Sequence, residues 1–290
     1  MKKTLFVCGL LILGYTQYSY AKDQPEFIET VELNRKTNSL EFKDILKGIY
    51  AQKIVNNQHY DSEGDFKPYA KTVFYDVAAQ EQQLVLMHPV VSYKNSAGEV
   101  RYFVLLEKLT MSSTGFIKSC NACSAKADFL IFKKQESGGF YLINYQLNVD
   151  DLPGGAGRLK LDIKQIRKNM QPVGKDIIGS YFIGYYTGAG GEAGSEWYSL
   201  FLPEQGKIQV VEIGMAGHDS SSFYADRPEH TSVTTSILKI LPNDQSYYPI
   251  EIIYKTLSGE KEKATFEKSH FIFDSKTNVY IEKKLGNLKN

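Results

Sequence analysis

Few side chains in this 290-residue chain are spaced for chemistry. The sharpest spacing is Cys120-Asn121-Ala122-Cys123. Two thiols separated by two residues can attach a haem, supply half of a zinc site, cycle as a redox couple or close a structural disulfide. A c-type haem requires His directly after the second Cys, and Ser124 stands there. Zinc requires two more ligands at comparable spacing, and no second pair occurs. A thioredoxin-like couple requires its first Cys at a helix N-terminus, whereas Ala127–Lys133 (ADFLIFK) reads as a strand. The reading left standing is a structural disulfide that clamps the entry to that strand.

Three other constellations are weaker. Gly188-Ala189-Gly190-Gly191-Glu192-Ala193-Gly194 spells a GxGxxA, but a dinucleotide loop must open a helix, and Glu196–Phe201 reads as a strand. The same loop can line a ligand groove, with Gly190 and Gly191 offering backbone N–H groups and Trp197 a stacking face. Gly217-His218-Asp219-Ser220-Ser221-Ser222 reads as a polar loop in which His218 is a candidate base and Asp219 its neighbour. No GxSxG elbow accompanies it, and the spacing to His230 fits no standard metal motif. Asp150 and Asp151, with Glu192, are candidate paired carboxylates for glycan cleavage, although Asp150-Asp151-Leu152-Pro153 also suits a turn. His59, His88 and His270 stand alone and receive no role.

The elements that must position these groups are mostly short strands. Residues 1–21 read as an export signal: Lys2 and Lys3, an apolar run from Leu5 to Gly14, and Ala21 before a cleavage point. The run is too short for a membrane anchor, and Cys8 lies inside it after Val7, which does not suit lipidation. The 34 basic residues fall to 32 once Lys2 and Lys3 leave, against 33 acidic ones, so the mature chain sits near −1. That balance gives no electrostatic footprint for nucleic acid.

Phe42, Ile45, Leu46, Ile49, Tyr50 and Ile54 recur at helical spacing, with Asn38 and Glu41 as a capping box and Asn56-Asn57 as an end. Beyond them the texture predicts strands near 72–77, 84–88, 100–107, 129–133 and 140–147, then 177–186, 197–202, 207–213, 234–241, 250–254, 264–266, 271–273 and 279–282. Glu136–Gly139 predicts a hairpin turn, and a short helix over about Leu161–Asn169 is weighed against a strand there. The expected fold is therefore mainly β: antiparallel sheets, a sandwich or barrel-like meander, with one N-terminal amphipathic helix and a second short one mid-chain. The Pro- and Gly-rich loop Asp150–Gly157 divides a half at 22–149 from one at 158–290, as a domain boundary or as a loop within one continuous domain.

Ser119–Phe132 (SCNACSAKADFLIF), followed by a Gly hairpin, resembles the CxxC-then-strand segment of a group of uncharacterised exported bacterial proteins, over about Val100 to Tyr145. Many members carry His inside or before the CxxC, where this chain has Asn121 and Ser119, which argues further against a metal. The resemblance implies export and a β-rich fold and no activity.

These readings lead to an expected periplasmic, non-enzymatic protein that binds a protein partner or small ligand through loops on a β scaffold, as an inhibitor, immunity or envelope-assembly factor. No cofactor, metal, nucleic acid or transmembrane anchor is expected. The alternatives are an envelope hydrolase using Asp150, Asp151, Glu192 or His218, and a thiol-disulfide oxidoreductase at Cys120 and Cys123. A disulfide closing so short a loop contributes only about 2 kcal/mol. Replacing both cysteines by Ser is therefore expected to leave a folded, exported protein with a slightly lower melting temperature. Failure to fold or to be exported, seen in fractionation and thermal melts, counts against a clamp.

Overall fold

The computed structural model describes residues 33–50, 70–76, 81–112, 116–118, 123–150, 152–187, 192–259 and 263–287. They belong to one compact unit, Val31–Asn290. The fold is mainly β and antiparallel throughout, with a curled, half-barrel second sheet and two helices. Residues 1–21, read from sequence as an export signal, lie outside the described residues.

The first sheet has seven strands: β1 (Lys36–Thr37), β2 (Ala70–Asp76), β3 (Glu81–Met87), β4 (Val91–Lys94), β5 (Val100–Thr110), β6 (Lys126–Lys134) and β7 (Phe140–Val149). Its order is β1-β7-β6-β5-β3-β2, with β4 also on β5. Continuous apolar runs such as β6 (KADFLIFKK) mark strands buried on both faces. Ala127, Phe129 and Ile131 enter one core, while Leu130 and Phe132 enter another on the opposite face. That second core is covered by helix α1 (Phe42–Ile49) through Ile45, Leu46 and Ile49.

The capping box expected at Asn38 and Glu41 does not form. Glu41 is the N-cap residue and makes no side-chain cap. Ser39 Oγ instead accepts from the Glu41 N–H at 3.1 Å and donates to Asp44 at 2.6 Å. The helical hydrogen bonding closes at Tyr50, before the expected Asn56-Asn57 end, which lies outside the described residues.

A crossing segment holds β8 (Gly154–Gly155), β9 (Arg158–Leu159) and helix α2 (Ile163–Lys168), the short mid-chain helix, capped by Asp162. The second sheet then runs in chain order: β10 (Gln171–Pro172), β11 (Ile178–Thr187), β12 (Ala193–Leu202), β13 (Gln209–Asp219), β14 (Ser232–Ile240), β15 (Ile250–Ser258), β16 (Lys263–Asp274) and β17 (Val279–Asn287). The two runs expected at 264–266 and 271–273 are one strand, β16. Ile178, Phe182, Leu200 and Leu202 face the first sheet and share its core. On the other face Tyr181, Phe201, Val211 and Ile213 meet Ile250, Ile252, Phe271 and Tyr280 from β15, β16 and β17. The second sheet thus folds over itself, and its first strands are covered on both sides.

Two carboxylates stand inside the faces of the first sheet. Asp128, wholly buried, accepts from Tyr50 Oη, the Asn148 N–H and Lys108 Nζ, each at 2.8 Å, on the α1 side. Glu107, also wholly buried, lies on the other face. It accepts from Arg158 Nε and the Leu159 N–H, both at 2.8 Å, from Arg158 Nη2 at 3.1 Å and pairs with His88 Nε2 at 3.0 Å. Burial opposes ionisation of Glu107, but the hydrogen bonds from His88 and Arg158 and the Arg158 charge outweigh it and hold its pKa below the usual carboxylate value. His88, given no role from sequence, is part of this cluster. Removing one partner of a buried pair costs about 3–5 kcal/mol. Arg158→Ala is expected to lower unfolding free energy by about 3 kcal/mol in urea denaturation; a loss within experimental error would show that His88 and the Leu159 N–H suffice.

Candidate functional site: a cavity beside Trp197

The site follows from a failure of strand pairing. β13 pairs with β14 only where Gly217, His218 and Asp219 face Thr235, Thr234 and Val233. Against β12, the register of β13 shifts twice, between Ser195 and Glu196 and between Trp197 and Tyr198, so β13 carries extra residues. Such bulges bend the strand and increase its twist. Past Thr235, β14 leaves β13. The Ser236 hydroxyl stitches the fork, donating to the Ala216 carbonyl and accepting from Trp197 Nε1, each at 2.8 Å. Gly214 faces Trp197, and a Cβ there would come within 2.9 Å of the Phe271 ring.

The divergence opens a cavity of about 760 Å³. One wall holds Tyr181 and Trp197, with Asn169, Gln171 and Pro172 following α2. The other holds Leu238, Lys239 and Ile240 of β14, with Pro242 and Tyr248 from the next loop. Asn169 Nδ2 donates to the Tyr181 carbonyl at 2.8 Å, and Gln171 Nε2 to the Asn169 carbonyl at 3.2 Å, which fixes that rim. Trp197 is half-buried, its N–H satisfied, so its ring serves as a wall. The Tyr181 hydroxyl is buried beside the Tyr280 hydroxyl and Ser199 Oγ, whose residue pairs with Tyr181 across β11 and β12. Burial pushes the Tyr181 pKa up to about 12, so the hydroxyl is a neutral donor. Concave aromatic walls with a few polar groups are what small-ligand sites are made of. The lining among the described residues has no carboxylate, histidine or cysteine.

The structure scatters the residues singled out from sequence. Trp197 lines the cavity. His218 and Asp219 lie in strand β13, not in a polar loop: His218 pairs with Gly194 on one side and Thr234 on the other. His218 shares the face of Gly194 and Glu196, opposite to Trp197, and Gly194 is three residues, about 10 Å, along β12 from Trp197. Asp219 is exposed and accepts from the Ser221 N–H at 2.8 Å; the Ser221 hydroxyl and N–H hold its pKa low. Glu192 is half-buried just before β12, and Asp150 is exposed just after β7. Asp151, Gly190, Gly191 and Cys120 lie outside the described residues. Cys123 is not a free thiol, and the chain runs from it through Ser124 and Ala125 directly into strand β6. Among the described residues no three His, Cys, Asp or Glu side chains gather as metal ligands.

Sequence reasoning missed Asn169, Gln171, Tyr181, Leu238 and Tyr248, which come from four separate segments and share no local pattern. It also missed Glu196. This half-buried carboxyl lies on the sheet-1 face of β12, where burial and then the charge of Glu212 push its pKa up to about 7. Comparison with known protein families, curated proteins and solved structures finds no match.

Glu196 makes stability depend on pH. Its pKa rises from 4.5 to about 7 on folding, so the folded state holds the proton more tightly. The wild type carries no penalty from this group below pH 4.5 and the full penalty above pH 7. Glu196→Gln is therefore expected to melt higher than wild type at pH 8, with the difference fading by pH 4. An equal difference at both values would show that the carboxyl does not titrate in this way.

Proposed function

We propose that the protein is a non-enzymatic binding protein of the periplasm, and that its binding site is the Trp197 cavity. The observation that carries this reading is the cavity itself: a concave space of about 760 Å³, walled by Trp197, Tyr181 and Tyr248, at a fork whose base is tied by the Ser236 hydrogen bonds. Most of its lining stands on strands, which suits recognition. The periplasmic assignment is supported by the Lys2-Lys3 start, the short apolar run and Ala21. Among the described residues no helix is long and apolar enough to cross a membrane. The pairing of Cys120 with Cys123 as a clamp belongs to the same reading, supported by the strand that follows Cys123.

A hydrolase is the second reading, and Glu196 is the observation that favours it. A carboxyl raised to about 7 beside a second one, Glu212, has the pKa of a general acid near neutral pH. Yet Glu196 faces away from the Trp197 side of β12, toward the first sheet.

Native mass spectrometry of protein isolated from the periplasm decides between them. The expected result is a stoichiometric ligand or one-to-one partner on the wild type, lost from Leu238→Arg, whose melting temperature reports that it is folded. Lysis of cell-wall material in a zymogram, abolished by Glu196→Gln, Glu192→Gln or His218→Ala, would overturn the proposal.

A further inference from the structure

The free edge of β14 narrows the class of ligand, given a binding site at the Trp197 cavity. We propose that the cavity takes an extended peptide segment of a partner protein, added as a strand to that edge.

β14 pairs with β15 along all of Ser232–Ile240 but with β13 only at Val233, Thr234 and Thr235. The direction of its backbone groups is fixed at both ends. The Ser220 N–H donates to the Ser232 carbonyl at 3.0 Å, so Ser232 turns its backbone groups toward β13. The Leu241 N–H donates to the Pro249 carbonyl at 2.9 Å, so the odd-numbered residues turn toward β15. Alternation in an antiparallel strand then turns Thr234, Ser236, Leu238 and Ile240 the same way as Ser232. At Ser236 the side-chain hydroxyl reaches Ala216 in place of continued strand pairing. Beyond it, the N–H and C=O of Leu238 and Ile240 face an edge that no strand pairs among the described residues. Both residues line the cavity.

Backbone donors and acceptors repeating every second residue, about 7 Å apart, match an extended polypeptide. A sugar or lipid would use the aromatic wall and leave that repeat unused. In the added strand, residues opposite Leu238 and Ile240 turn their side chains inward, so they are apolar or aromatic against Trp197 and Tyr181. The residue between them stands opposite Lys239, whose ammonium lies 3.8 Å from Glu251 and is more than half exposed. An acidic side chain fits there.

The test begins with a phage-displayed dodecapeptide library selected on the full mature protein. The best binder is synthesised, its affinity is followed through Trp197, the sole tryptophan, and each of its residues is N-methylated in turn. The expected result is alternation: about tenfold weaker binding at every second residue of the docked stretch, and little change between. Leu238→Pro removes a donor on the free side only and is expected to weaken binding by a similar factor. The methylation scan decides the matter even where that variant does not fold. A scan without alternation would overturn strand addition. No peptide binder, with native mass spectrometry still showing a small ligand lost from Leu238→Arg, would overturn the peptide class and leave the cavity reading standing. A selected sequence matching this chain would make the occupant a second copy and overturn a foreign partner.

Discussion

A carboxylate inside an apolar sheet must be neutralised or surrounded by donors, and Glu107 is surrounded. It takes hydrogen bonds from Arg158, from the Leu159 N–H and from His88 while wholly excluded from solvent. Arg158 and Leu159 come from the segment that leads out of the first sheet into the second. The cluster therefore fixes where the chain crosses, and with it the face of the first sheet that the second will cover. Buried ion pairs of this kind are weak sources of net stability, since desolvation offsets most of the attraction. They discriminate strongly against arrangements that leave the charge unpaired. Asp128 sets the same condition on the opposite face, where Tyr50, Lys108 and the Asn148 N–H must all be in place.

With its first strands pinned in this way, the second sheet has both faces to satisfy. Leu200 and Leu202 pack toward the first sheet, and Phe201 packs the other way. The later strands fold back to cover that second side. Where this sheet doubles over, pairing is lost between β13 and β14, after two register shifts against β12. The cavity is a consequence of this bend. Ser236 keeps the fork in shape by accepting from the Trp197 N–H and donating to the Ala216 carbonyl. A concave space thus arises at the fork, with the core residue Tyr181 in its wall.

Much of the scaffold was legible in the sequence because local patterns report burial. The β6 run, the hairpin after it and the helix stripe at Ile45, Leu46 and Ile49 are each decided within a few residues. Misreadings fell where local cues compete. Asn38 and Glu41 spell a capping box, but Ser39 and Asp44 form the actual hydrogen bonds at that end. His218 and Asp219 look like loop residues because Gly and Ser surround them, yet they occupy the end of a strand held on both sides. Of the residues singled out for binding, Trp197 lies in the cavity lining, and it was singled out as a stacking face beside the Gly-rich loop.

Alternation, apolar runs and turn residues act over short distances, so local patterns already specify an antiparallel β protein with an N-terminal helix, while the segment near 161–169 stays open between helix and strand. That Glu107 meets Arg158, that β14 parts from β13, and that Asn169, Tyr181, Trp197 and Leu238 line one cavity is settled only in three dimensions. Those meetings depend on how two sheets stack and where one of them folds. Stacking is set by the sum of many long-range contacts, and no local spacing of residues encodes such a sum.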